Sequence, residues 1–205
     1  LDADAIALLG PTHAAEALNR AAGVYLQRGS GQEMLTAIRS PVLTGAGACG
    51  AFLILEDSMP IRPVGVCNVN ELFELNTGRA ERIEIIRGPA TAAFGANAVH
   101  GIVNVITPRV ESLDPLSVGI NVGSDSLRRI ELETRLDRFG AFGQWSRDPG
   151  YRANSGGDEA KLNLLYDTSV GTADLRLRAA GTVLHQETAG FVRGLDAYRD
   201  PLLRR

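Results

Sequence analysis

The sequence predicts two consecutive parts of different texture: a compact α+β domain up to about Arg109, then antiparallel strands from Leu116 onward. Three observations lead there. Short helix-favouring and strand-favouring segments joined by glycine-rich loops fill the first half. Long period-two alternation takes over in the second. No apolar run approaches the roughly 18 residues that a membrane-spanning helix needs, and the richest, Ala51 to Leu55, is strand-sized. A helical membrane protein is thereby excluded, whereas a transmembrane β-barrel is not, because its strands carry only a weak alternating signal.

Pro11 and Thr12 open a helical stretch, Ala14 to Ala22, that Gly23 can close. Val24 to Gln27 and Leu35 to Arg39 read as short strands around the turn Arg28-Gly29-Ser30-Gly31. Ala51 to Leu55 is a buried strand, turned by Glu56-Asp57-Ser58. Asn70 to Leu75 supplies a helical turn or two. Arg82 to Ile86 alternates as a strand, and Gly101 to Thr107 is a last strand that Pro108 stops. In the second half Leu116, Val118, Ile120 and Val122 share one face, with Ser117, Gly119, Asn121 and Gly123 on the other. After Ser124-Asp125-Ser126, Ile130, Leu132 and Leu136 oppose Arg129, Glu131, Glu133 and Arg135. Leu175, Leu177, Ala179, Gly181 and Val183 then oppose Arg176, Arg178, Ala180, Thr182 and Leu184. Such alternation suits a barrel wall with apolar side chains toward lipid and charged ones toward a wet lumen. A soluble antiparallel sheet with one solvated face gives the same pattern. Phe142 with Trp145, Tyr166, and Phe191 with Tyr198 fall near strand ends, where interfacial aromatics belong.

Composition narrows the function. The 205 residues carry 21 Lys plus Arg against 24 Asp plus Glu, a formal net charge of −3. Without a charge block no nucleic-acid partner is expected. Lys161 is the single lysine, so nearly every cation is an arginine, through coding bias or because its bidentate fork suits crowded ion pairs. Gly45-Ala46-Gly47-Ala48-Cys49-Gly50 fits G-x-G-x-x-G by letter, yet the strand Ala51 to Leu55 follows where a nucleotide site needs a helix. An oxidoreductase reading therefore fails, and the stretch reads as an apical loop. Cys49 and Cys67 occupy loops flanking that strand, with no Cys/His cluster that would bind zinc. A disulfide between them would contribute about 3 kcal/mol by chain entropy; two buried thiols are the alternative. His13, His100 and His185 are scattered and belong to no nucleophile–base arrangement, so neither an enzyme nor a cofactor or metal site is expected. The chain opens at Leu1 without a basic or apolar leader and stops at Arg205 in polar sequence, and it reads as an interior fragment of a longer protein.

The most informative segment runs from Glu81 to Pro108: E-R-I-E-I-I-R-G-P-A-T-A-A-F-G-A-N-A-V-H-G-I-V-N-V-I-T-P. An alternating strand meets a Gly-Pro turn, a small-residue helical turn packs close, and an apolar strand returns. This stretch resembles the plug-domain signature of TonB-dependent outer-membrane receptors, E-R-I-E-V-L-R-G-P-x-S-A-L-Y-G-x-x-A-x-G-G-V-I-N-I-I-T. Upstream, Ala22-Gly23-Val24 resembles the family's P-G-V, Leu35 to Ser40 its I-R-G element, and Leu53 to Pro60 its V-L-V-D-G-V-P. Ala22, Ser40 and Ser58 depart from the pattern, and the two serines bring turn strain wherever φ is positive.

The resemblance implies an α+β plug domain, residues 1–109, followed by antiparallel strands of an incomplete transmembrane β-barrel, residues 110–205. It implies residence in the outer membrane of a Gram-negative bacterium, with lipid around a barrel of about 22 strands. The roughly 95 residues after Arg109 can supply its first four to six strands. The implied activity is uptake of a scarce nutrient, most often an iron–siderophore complex, driven by TonB through strand addition to a segment preceding Leu1. Matching motif positions assigns Arg39, Glu84 and Arg87 to an electrostatic lock between plug and barrel wall, or to local strand and turn bonds. Thr44 to Gly50 and Pro60 to Asn70 become ligand-facing plug loops, with Arg62, Asn68 and Asn70 as contacts or as solvated loop residues. The rival is a secreted or periplasmic β-rich binding module without transport activity.

Overall fold

The computed structural model describes residues 1–42, 51–62, 70–95, 97–151, 154–190 and 199. The chain divides into two units, Leu1–Pro108 and Arg109–Arg205.

In the first unit, helix α1 (Ala3–Leu9) starts where the Asp2 carboxylate accepts the Ala5 N–H at 2.9 Å, and it ends at left-handed Gly10. The sequence reading missed this helix. Helix α2 (Ala14–Leu18) is shorter than the expected Ala14 to Ala22. The Asn19 side chain stops it by bonding both backbone groups of Leu26, accepting from its N–H at 2.7 Å and donating to its C=O at 3.2 Å. That bond ties the helix end to the hairpin β1 (Val24–Arg28) and β2 (Met34–Ile38).

The remaining strands of this unit are β3 (Phe52–Glu56), β4 (Met59–Pro60), β5 (Arg82–Arg87) and β6 (Gly101–Ile106), with the short helix α3 (Thr91–Phe94) between the last two. Among the described residues they form a mixed sheet in the order β4-β3-β6-β5, with β3 and β6 parallel. Parallel strands covered on both faces read as continuous apolar runs, which β6 does apart from Asn104. One face packs Ile54, Val103, Val105 and Ile83 onto α1, α2 and the hairpin through Ile6, Leu18 and Leu26. The other gathers Leu53, Leu55, Ile102 and Ala98. Gly101 permits the tight β5–β6 approach, since a β-carbon there would lie 2.7 Å from the Ile86 carbonyl oxygen. Asn70 to Leu75 is a 3₁₀ turn at Glu71–Glu74.

The second unit is a meander of β7 (Leu116–Val122), β8 (Arg128–Leu136), β9 (Phe139–Asp148), β10 (Gly157–Val170) and β11 (Ala173–Gln186), each antiparallel to the next. Strands β9 and β10 went unassigned in the sequence. Two-residue turns, Asp137-Arg138 and Gly171-Thr172, close one end, while 123–127 and 149–156 make longer loops at the other.

Its alternation is turned inside out relative to a soluble sheet. Ile120, Leu132 and Leu136 are 74%, 51% and 77% exposed, whereas Arg129, Glu133 and Glu159 on the opposite face are 3%, 7% and 3% exposed. Apolar rows cross the strands in register on the exposed face, such as Ile120–Ile130–Trp145–Ala160–Val183 and Val118–Leu132–Gly143–Leu162–Gly181. Trp145 borders this band at the longer-loop end. Phe139 and Tyr166, ring centroids 4.7 Å apart, border it at the short-turn end. The six residue steps from Phe139 to Trp145 span about 20 Å of strand. Phe142 departs from the expected interfacial role. It lies on the opposite pleat from Phe139 and Trp145 and is buried with Val110, Leu113 and Leu165. Phe191 and Tyr198 fall outside the described residues.

Candidate functional site

Among the residues read as a lock, Arg39 and Arg87 converge on one turn. The Arg39 backbone N–H donates to the Gly23 carbonyl at 2.8 Å, and Nη1 of Arg87 donates to the Ala22 carbonyl at 2.8 Å. Gly23 has φ 77°, and a β-carbon there would sit 3.3 Å from Cγ of Arg39. The left-handed residue at the end of β2 is Arg39 (φ 50°) rather than Ser40, so the strain expected at the serine falls on the arginine. Glu84 lies on β5, where its carboxylate accepts Nε of Arg82 at 2.8 Å and Nδ2 of Asn104 at 3.1 Å. The Arg82 hydrogen bond holds the Glu84 carboxyl below its ordinary pKa. All three residues thus hold local bonds within the first unit.

A polar hub that sequence reasoning missed stands behind Glu84. Asn104 is 7% exposed; its Oδ1 accepts the Ser58 N–H at 2.9 Å, and its Nδ2 donates to Oγ of Ser58 at 3.2 Å and to Glu84. Asp57 and Ser58 both adopt left-handed φ, 48° and 68°. The Asp57 carboxylate accepts the Thr107 N–H at 2.9 Å and its hydroxyl at 2.5 Å. Strain at the departure Ser58 is therefore real and is bracketed by side-chain bonds. An asparagine amid an Ile-Val run was the available signal, because a buried amide needs partners.

Near the proposed ligand loops, Arg62 pairs with Glu74 and lies 3.9 Å from Glu71, both on the 3₁₀ turn. Burial raises the Glu71 carboxyl to about 7, with the charge of Arg62 pulling the other way. The Asn70 side chain accepts the Met34 N–H at 2.8 Å, so it fastens this turn to the hairpin. Asn68, Cys49, Cys67 and the Gly45 to Gly50 loop lie outside the described residues. Among the described residues no cluster of His, Cys, Asp and Glu has metal-binding geometry.

On the buried face of the second unit, Nζ of Lys161 lies 3.1 Å from Glu159, Nη1 of Arg129 lies 3.3 Å from Glu131, and Gln144 bridges to Glu159 at 3.3 Å. Such pairs fix arrangement more than they stabilise. The Val110 N–H donates to Asp167 at 2.8 Å and the Asp114 N–H to Glu133 at 2.7 Å, which seats the segment entering β7 on this same face.

Residues 1–102 match the family described as the TonB-dependent Receptor Plug Domain. The chain carries the plug domain of a TonB-dependent receptor. The strands that follow this plug are the unclosed start of the receptor's barrel. Solved receptors share the fold. The siderophore receptor PirA from Pseudomonas aeruginosa aligns at 24% identity and TM-score 0.63, over 91% of this chain and 35% of its own. The ferric citrate transporter FecA aligns at 21% and 0.69, over 96% of this chain and 32% of its own. The copper transporter OprC aligns at 17% and 0.63, over 86% and 29%. The chain therefore spans about a third of the length of these receptors.

Proposed function

We propose that the parent protein is an outer-membrane receptor that takes up an iron–siderophore complex with energy delivered by TonB. The observation that carries this reading is the inverted second unit. A sheet with an apolar face outward, bordered by aromatics, and ion pairs on the covered face suits a wall between lipid and a filled lumen. The plug boundary near Arg109 belongs to the same reading, as does the outer membrane of a Gram-negative cell. The similar solved receptors include a siderophore receptor, a ferric citrate transporter and a ferric-catecholate import receptor, which supports iron as the cargo; another is a copper transporter. A chromosomal deletion tested for growth on single iron sources (ferric citrate, a catecholate, a hydroxamate) is expected to fail on at least one. Unchanged growth and unchanged iron accumulation on all of them would overturn iron uptake.

Arg39, Glu84 and Arg87 act in this reading as the side of the plug that registers against the barrel, with Arg62, Asn68 and Asn70 near the ligand. A disulfide between Cys49 and Cys67 would brace those loops, and mass spectrometry of unreduced peptides tests it. For the lock, Arg87→Ala loses the bond to Ala22 and is expected to lower uptake or admit bulky antibiotics. Wild-type behaviour in both assays removes Arg87 from the lock.

A further inference from the structure

At the longer-loop end of the exposed band, one step beyond the row of Trp145, the outward-facing row reads Val122, Arg128, Arg147, Asp158, His185. Arg128 and Arg147 are direct cross-strand partners. Their β-carbons are then about 5 Å apart, and like charges so placed repel. Arg147 lies 3.8 Å from Asp158, its partner on β10. Arg128 makes no hydrogen bond or ion pair among the described residues. Both side chains are solvent-exposed and adjoin the apolar rows. The sheet thus spends repulsion to hold two guanidinium groups side by side on its lipid-side face. An anion between them would relieve it, and a phosphate accepts the guanidinium fork bidentately.

The end of the sheet decides which phosphate. Outer-membrane barrels keep short turns on the periplasmic side and longer loops outside. The two-residue turns 137–138 and 171–172 lie at the opposite end from this row, whose neighbours are the loops 123–127 and 149–156. That places the arginine pair at the headgroup level of the outer leaflet, which in this kind of membrane is a phosphorylated glycolipid. We propose that Arg128 and Arg147 form a site for a phosphate group of that glycolipid, with its acyl chains on the Ile120, Ile130 and Trp145 row. Asp158 holds Arg147 in place, and His185 adds a donor at the rim.

The inference rests on the membrane placement proposed above and has its own test. Full-length receptor, delipidated in detergent, is titrated with bisphosphorylated lipid A by native mass spectrometry, beside monophosphoryl lipid A, phosphatidylglycerol and inorganic phosphate. The site predicts tightest binding of bisphosphorylated lipid A. A double variant, Arg128→Gln with Arg147→Gln, is expected to weaken it at least tenfold, and Arg128→Lys with Arg147→Lys, which keeps the charge but loses the fork, is expected to bind between that variant and wild type. Equal binding by wild type and the glutamine variant overturns the site, as does equal retention of phosphatidylglycerol or of inorganic phosphate alone. Heat-modifiability of each variant reports folding. A receptor absent from the outer membrane defeats the proposed function instead, whereas one present there without arginine-dependent lipid A binding defeats this inference alone.

Discussion

Asn104→Ala tests whether the polar hub, rather than the apolar core alone, holds the plug sheet together. The substitution removes three hydrogen bonds at once: the Ser58 N–H at 2.9 Å, Oγ of Ser58 at 3.2 Å and the Glu84 carboxylate at 3.1 Å. Two of the former partners, the serine hydroxyl and Glu84, lie where water can replace the amide, so each bond contributes at the low end of about 0.5–1.5 kcal/mol. The Ser58 N–H is different, because it belongs to a residue held at φ 68° beside an equally left-handed Asp57. Without its acceptor the turn loses the bond that offsets about 1 kcal/mol or more of backbone strain per residue. Together these give about 2–3 kcal/mol of local destabilisation, or about 30- to 150-fold faster amide exchange where exchange follows local opening. Hydrogen-exchange mass spectrometry of the full-length receptor in detergent reads this on peptides covering residues 53–60. Peptides from β9 and β10 serve as internal controls and are expected to stay at wild-type rates. Unchanged exchange at 53–60 would refute the reasoning, since Asp57 and Thr107 alone would then suffice to pin the turn.

Two further outcomes follow from the site and the wall. The Glu71 carboxyl is raised from 4.5 to about 7 mainly by burial, so its protonated form suits the folded state and the associated stability is lost as pH rises from 4.5 through 7. Exchange of the 71–74 turn, corrected for intrinsic rates, should therefore quicken toward pH 8, and Glu71→Gln should flatten that dependence; a slope that survives in the variant assigns it to another group. On the wall, Leu132→Lys puts a charge in the middle of the exposed apolar band at a cost of about 2–4 kcal/mol and should reduce the heat-modifiable folded receptor. Gln144→Lys, on the covered face beside Glu159, should assemble normally; a defect in Gln144→Lys alone would mean the faces have been assigned the wrong way round, and equal assembly of the two variants would mean that the exposed band does not face lipid.

Local patterning made some elements legible and left others hidden. Strand β7 lies at Leu116–Val122, where the sequence alternation placed it, because a strand's two faces are written in adjacent residues. Strand β5 and the Gly-Pro turn after it were readable for the same reason, and the plug signature lies on that stretch. The end of α2 was not, since an Asn19 bond to Leu26 sets it rather than the helix propensity of Ala21 and Ala22. Grouping Phe142 with Trp145 by nearness overlooked pleat parity: an offset of three residues puts two side chains on opposite faces. Arg62 could be placed in a loop, but not beside Glu71 and Glu74, which are brought to it only when the chain folds back.

By itself, then, the sequence determined the plug family, the change from mixed elements to strands near Arg109, and which side chains of each strand share a face. Alternation is symmetric, however, and does not say which of its two faces is covered. Tertiary structure decided that the charged face is the covered one, because strand register stacks Ile120 with Ile130 and Trp145 into one outward row and seats Val110 and Asp114 on Asp167 and Glu133 behind it. It also set Arg128 against Arg147, a pairing that rests on register between two strands and on no pattern within either.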